Sequence, residues 1–186
     1  MAHGFRSTRR GITGFLEDAE RELLGKLFRD VASMLEPRTT PDDDPLAALV
    51  GIDAEATVPE DTAVRRLLPD GVDGDDEAAL EFRRLTERGL REQKTAGLRA
   101  AELLIEAEPI QLDTDQAAIL SKAINDVRLV LADRLNLVTD EDANRLHDIT
   151  DWAEATDLES YLALVYNFLT WLQDTLMQAL LRSLDR

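Results

Sequence analysis

Apolar residues along this chain recur mostly at three- and four-residue steps, and almost nowhere in alternation. Within residues 17–35, Leu23, Leu24, Leu27, Val31 and Leu35 follow that spacing with Phe28 beside them, which predicts a helix that Pro37 stops. Residues 36–61 break the pattern: eight acids stand there against Arg38 alone, among prolines and Gly51. This reads as a loose acidic insert carrying one short helix over "DDPLAALVG", with Asp44 as cap, Pro45 at the first helical position and Gly51 at the end. Residues 60–68 predict another short helix, with Val64, Leu67 and Leu68 on one side and Pro69 after it.

Residues 70–77, "DGVDGDDE", read as a loop. A long helix is then expected over 77–107, capped by Asp76 and closed before Pro109. Its first half is sparsely apolar, with Phe82, Leu85 and Leu90 among charges, and its second half is richer, with Leu98, Ala101, Leu104 and Ile105. The expectation is exposure early, burial late and a bend near Gly97, since Gly89 and Gly97 each cost a helix about 1 kcal/mol against Ala.

Asp113 and Gln116 form a capping-box pattern before a strong helix at 114–136. Ile119, Leu120, Ala123, Ile124, Val127, Val130, Leu131 and Leu135 give it a broad apolar face. On a helical wheel Asn125 and Asp126 turn away from that face and Arg128 falls at its edge, so this rim is read as wet or paired. Asn125 and Arg128 are taken as structural polar residues, with Arg128 bonded to a neighbouring element. Thr139 and Asp142 open a shorter helix near 140–148, and Asp157 caps the last one, 158–184, about 40 Å long. Leu158, Leu162, Val165, Leu169, Leu172, Leu176 and Leu180 line one face of it, and Tyr161, Leu164, Phe168 and Trp171 widen that face. Such girth marks the central helix of a bundle. At the other end, Phe5, Ile12 and Phe15 flank Gly11 and Gly14 without helical period, a frayed arm or a short β-hairpin. The predicted fold is all-α: one helical domain over 1–186 with a long central C-terminal helix and this small N-terminal arm or hairpin.

Composition narrows the chemistry. At 186 residues the chain can bury a core without covalent staples. It has no cysteine, which excludes disulfides, thiolate nucleophiles and thiol redox switches. Neither a signal-peptide pattern nor an apolar run of about 18 residues occurs, so a cytoplasmic protein off the membrane is expected. The net charge of −17 opposes phosphate backbones, so no direct sequence-specific nucleic-acid binding is expected. Basic residues are 18 Arg and only three Lys, namely Lys26, Lys94 and Lys122.

Catalytic and metal signatures are weak. His147 has Asp148 and Asp151 near it but no Glu three residues before it, so a bundle-type metal pair is not expected. The acidic loop at 70–77 lacks calcium-loop spacing and reads as a solvated turn. No phosphate-cradling glycine loop and no nucleophile elbow is present. The expectation is no enzyme, no metal and no cofactor, with a carboxylate-based metal protein as the lesser alternative. Two basic groups remain as partner-binding candidates. Arg6, Arg9 and Arg10 form a basic N-terminal arm. Arg83, Arg84 and Arg88, with Arg91, form a stripe that is either a surface laced with i,i+4 pairs of about 0.3–0.5 kcal/mol each or an anion- or protein-binding face.

Six segments in order carry a family resemblance: "EDAERELLGKLFRDVASML" (17–35), "DDPLAALVGI" (43–52), "DTAVRRLLPD" (61–70), "EFRRLTERGLREQK" (81–94), "AINDVRLVLADRLNL" (123–137) and "YNFLTWLQDTLMQALL" (166–181). Together they resemble the AosR-like oxidative-stress regulators of actinobacteria, first catalogued as a domain of unknown function. The resemblance implies a cytoplasmic regulator that acts with a sigma factor, and a gene neighbourhood shared with the ClpS adaptor keeps a role in Clp proteolysis open. The family's redox switching uses a cysteine pair, which this chain lacks, so thiol sensing cannot operate here. An acidic scaffold suits a basic protein partner, with Arg6, Arg9 and Arg10 placed to touch DNA held by that partner. A homodimer built on the last helix is a further expectation.

Overall fold

A computed structural model of the chain describes residues 3–36, 56–139, 141–142 and 157–184. Five helices and a small sheet are seen among them: β1 (His3–Thr8), β2 (Gly11–Phe15), α1 (Asp18–Met34), α2 (Thr62–Leu67), α3 (Asp76–Leu104), β3 (Ile110–Leu112), α4 (Thr114–Arg134) and α5 (Leu158–Leu184). The expected short helix in the acidic insert, most of the one near 140–148, and His147 lie outside the described residues. Thr139 and Asp142 do bond each other's backbone N–H groups, at 2.9 and 3.2 Å.

Helix starts follow the acids. Asp113 accepts from the Gln116 N–H and the Gln116 side chain returns the bond, so α4 opens on a reciprocal cap. Asp157 accepts from the Ser160 N–H at 2.7 Å before α5, and Asp61 from the Ala63 N–H before α2. At α3 the cap is Asp75, not Asp76: the Asp75 carboxylate accepts from Ala78 N–H and Asp76 is the first helical residue.

The N-terminal segment is a hairpin, and a third strand joins it, which corrects the expectation of no strand beyond the first residues. β3 pairs antiparallel with β2, Ile12 facing Leu112, to give the order β1-β2-β3. Only three residues separate Pro109 from Asp113, too few for an alternating pattern to stand out, and Ile110 and Leu112 are buried while Gln111 is exposed. Gly11 is required where β2 begins. Its φ is +113°, and a Cβ there would lie 2.6 Å from the Leu112 carbonyl oxygen.

α4 touches α1, α2, α3 and α5 and also meets the sheet. Its Leu120, Ile124 and Val127 are buried with Leu24 and Phe28 of α1, Leu67 of α2, Leu98 of α3 and Leu172 of α5 in one continuous core. α5 packs against α4 on one side and against β1 and β2 on another. The hairpin is tied there: the Phe5 N–H donates to Thr175 Oγ1 at 3.2 Å. α3 is exposed early and buried late, as its composition predicts, with Phe82 and Leu85 exposed and Leu98 and Ala101 buried.

Candidate functional site

The seam between α3 and α4 joins a buried ion pair to an open cleft. Leu90, Lys94 and Leu98 recur at four-residue steps along α3 and so share a stripe. That stripe faces Ile119, Lys122 and Asp126 of α4, with Gln173 of α5 at one end, around a cleft of about 500 Å³. Gly97 opens the α3 wall, since a Cβ placed there would meet nothing within 4 Å.

Lys94 Nζ donates to Asp126 Oδ1 at 2.6 Å. Asp126 is only 5% exposed, so of the two readings of this rim, wet or paired, it takes the paired one. α4 is flanked by helices on several sides, and α3 covers the side that carries Asp126. Burial pushes the Asp126 carboxyl up from the ordinary aspartate value, and the Lys94 hydrogen bond and charge act against that. The side chains of Lys122, Asn125 and Gln93 also line the cleft and make no hydrogen bond or ion pair with another described residue. Asn125, expected as a structural polar residue, is exposed.

Arg128 joins the next seam, α4 to α5. It donates to Gln173 Oε1 at 2.6 Å, Thr170 Oγ1 at 3.1 Å and Tyr166 Oη at 3.3 Å, and its guanidinium lies 5.2 Å from the Tyr166 ring centroid. Gln173 in turn donates to the Ser121 carbonyl at 3.2 Å, which couples this network to the cleft wall.

The basic candidates separate into two places. Arg6 lies on β1 and Arg9 and Arg10 in the turn of the hairpin, all three exposed. Arg83, Arg84 and Arg88 lie on the early half of α3, but Arg83 is 5% exposed and engaged within the chain. It bonds Glu87, Asp70 at 2.6 Å and the Leu68 carbonyl at 3.1 Å. Burial works against its charge, and the Glu87 and Asp70 contacts outweigh that and keep it protonated. Glu87 also receives Arg91, 2.7 Å away. Arg84 is held by Glu81 through two 2.8 Å bonds. Arg88 is half-buried and has an interaction of its own. The stripe is therefore interlocked with acids, and its most buried member fastens the 68–70 segment to α3.

The Lys94–Asp126 pair escaped the sequence reading, although two signals existed: Lys94 and Lys122 are two of only three lysines, and Asp126 interrupts the apolar run of α4. Among the described residues no group of three or more His, Asp or Glu side chains gathers as a metal site would, and no helix is long and apolar enough to cross a membrane. No curated protein and no solved structure matches the chain. A family model described as a domain of unknown function, DUF2017, matches residues 2–180, and the chain belongs to that family.

Proposed function

We propose that this protein is a cytoplasmic regulatory module that works by binding another protein, and that its partner is a sigma factor of the oxidative-stress response. The support is twofold. The six ordered segments resemble the AosR-like regulators. Among the described residues, the exposed apolar surface is concentrated on one helix: Leu158, Trp171, Met177, Leu181 and Leu184 of α5 are five of the twelve exposed large hydrophobic residues. Aromatic and long aliphatic side chains left in water on one element are the usual material of a contact surface. The net charge of −17 adds steering toward a basic partner, and it makes association sensitive to salt.

The carrying observation is that concentration on α5, and it sets the experiment. Tagged protein is used for capture from an actinobacterial lysate at low and high salt, beside a Trp171→Ser/Leu181→Ser variant, with the captured proteins identified by mass. A sigma factor or polymerase subunit is expected at low salt and is expected to be lost both at high salt and from the variant. Recovery of Clp components instead assigns the protein to proteolysis. Recovery of none of these, or equal capture by the variant, overturns the proposal.

A further inference from the structure

We propose that the cleft between α3 and α4 binds a small organic carboxylate with an apolar body. The cleft volume of about 500 Å³ lies inside the rough 300–1,000 Å³ range of small-molecule sites. Leu90, Leu98 and Ile119 supply apolar wall, and the missing side chain at Gly97 leaves the recess open.

Charge selects the ligand. The charged residues lining the cleft are Lys94, Lys122 and Asp126. Whether Asp126 is ionised or not, the lining carries net positive charge, in a chain whose total is −17. Two of the chain's three lysines line this one cleft, Lys94 from within the seam and Lys122 from its exposed edge. Lys94 commits one of its three N–H donors to Asp126 and keeps two, and Lys122 has no partner among the described residues. The Asn125 and Gln93 amides beside them are also uncommitted. A cation would meet two ammonium groups. A phosphate carries up to two negative charges beside Asp126, and no arginine lines the cleft to add a bidentate grip to the two lysines, so the singly charged carboxylate is the better match. A single carboxylate gives both ammonium groups an acceptor, and a hydrocarbon body covers the apolar wall. Asp126 acts as a positioning residue that fixes the Lys94 head.

The test uses the full chain, amide NMR shifts and three probes of one shape: naphthalene-2-carboxylate, its carboxamide and 2-naphthylmethylammonium. The carboxylate is expected to give saturable shifts over residues 90–98 and 119–126. The carboxamide is expected to bind about tenfold more weakly, the scale of one charge-assisted hydrogen bond, and the ammonium not at all. Gly97→Leu fills the recess and is expected to abolish binding. Gly89→Leu, on the same helix and equally unobstructed, is expected to bind like the native chain. Both changes replace glycine with a stronger helix former, so loss of fold does not confuse the result. Lys122→Gln is expected to weaken binding by roughly threefold to tenfold. Equal affinity for carboxylate and carboxamide, tighter binding of the ammonium, native affinity in Gly97→Leu, shifts confined to other surfaces, or no saturable shift with any probe each overturns the proposal. None of these outcomes bears on the protein partner, which the capture experiment addresses separately.

Discussion

The Lys94 ammonium and the Asp126 carboxylate meet at 2.6 Å across the α3–α4 seam, with side chains 21% and 8% exposed. Removing one partner from such a pair costs far more than the pair contributes, because the survivor is left charged and poorly solvated. Lys94→Ala is expected to lower the unfolding free energy by about 3 kcal/mol in urea titration. The double change Lys94→Met/Asp126→Leu is expected to recover most of that loss. A double variant as unstable as Lys94→Ala would show that the seam needs the polar pair itself.

The same pair gives a pH signature. Burial raises the folded-state pKa of Asp126 above its unfolded value, so the folded chain holds this proton more tightly. The carboxyl therefore contributes its stability at low pH, and that contribution is lost as pH rises from about 3.9 through the raised value. Native stability minus that of Asp126→Asn is expected to fall across this window and then level off. A difference that rises with pH would mean that Lys94 outweighs burial.

Arg128 holds α4 to α5 through Gln173, Thr170 and Tyr166, none of them acidic. Arg128→Ala is expected to cost about 2 kcal/mol, the scale of hydrogen bonds from a charged donor. Arg128→Lys is expected to recover only a minor part, because an ammonium cannot reach three acceptors in one plane and stack on the Tyr166 ring. Thermal unfolding of the three proteins at one concentration measures this.

Two adjacent arginines are expected to behave differently. Arg83→Ala leaves Glu87 with Arg91 alone and strips the Leu68 carbonyl of its donor, at an expected cost of about 2 kcal/mol. Arg84→Ala removes an exposed i,i+3 contact to Glu81 and is expected to leave the urea midpoint essentially unchanged. Equal effects would place Arg83 on the surface with its neighbour.

The helices were legible wherever apolar period and cap coincided. α4 carries both, in Leu120, Ile124, Val127 and Leu131 and in the Asp113–Gln116 cap, and it stands where the pattern puts it. The start of α3 was harder, since Asp73, Asp75 and Asp76 are all competent caps and only backbone geometry selects Asp75. β3 is a strand because β2 is there to pair with it, a cause invisible in three residues. The cleft was illegible for the same reason: Lys94 and Asp126 stand 32 positions apart, and their meeting is set by how α3 crosses α4. Arg83 looked like surface because no local pattern announces that the 68–70 segment folds over it.

The hydrogen bond from Phe5 to Thr175 spans 170 positions. A ribosome makes the hairpin long before α5, and closing so wide a loop has an entropic cost that must be met before the contact forms. Until α5 emerges, Phe5 and Ile12 lack the cover that this helix gives their sheet. β1 thus settles only after the helix it rests on has been made, and a nascent chain stalled before Thr175 carries an uncovered, sticky hairpin.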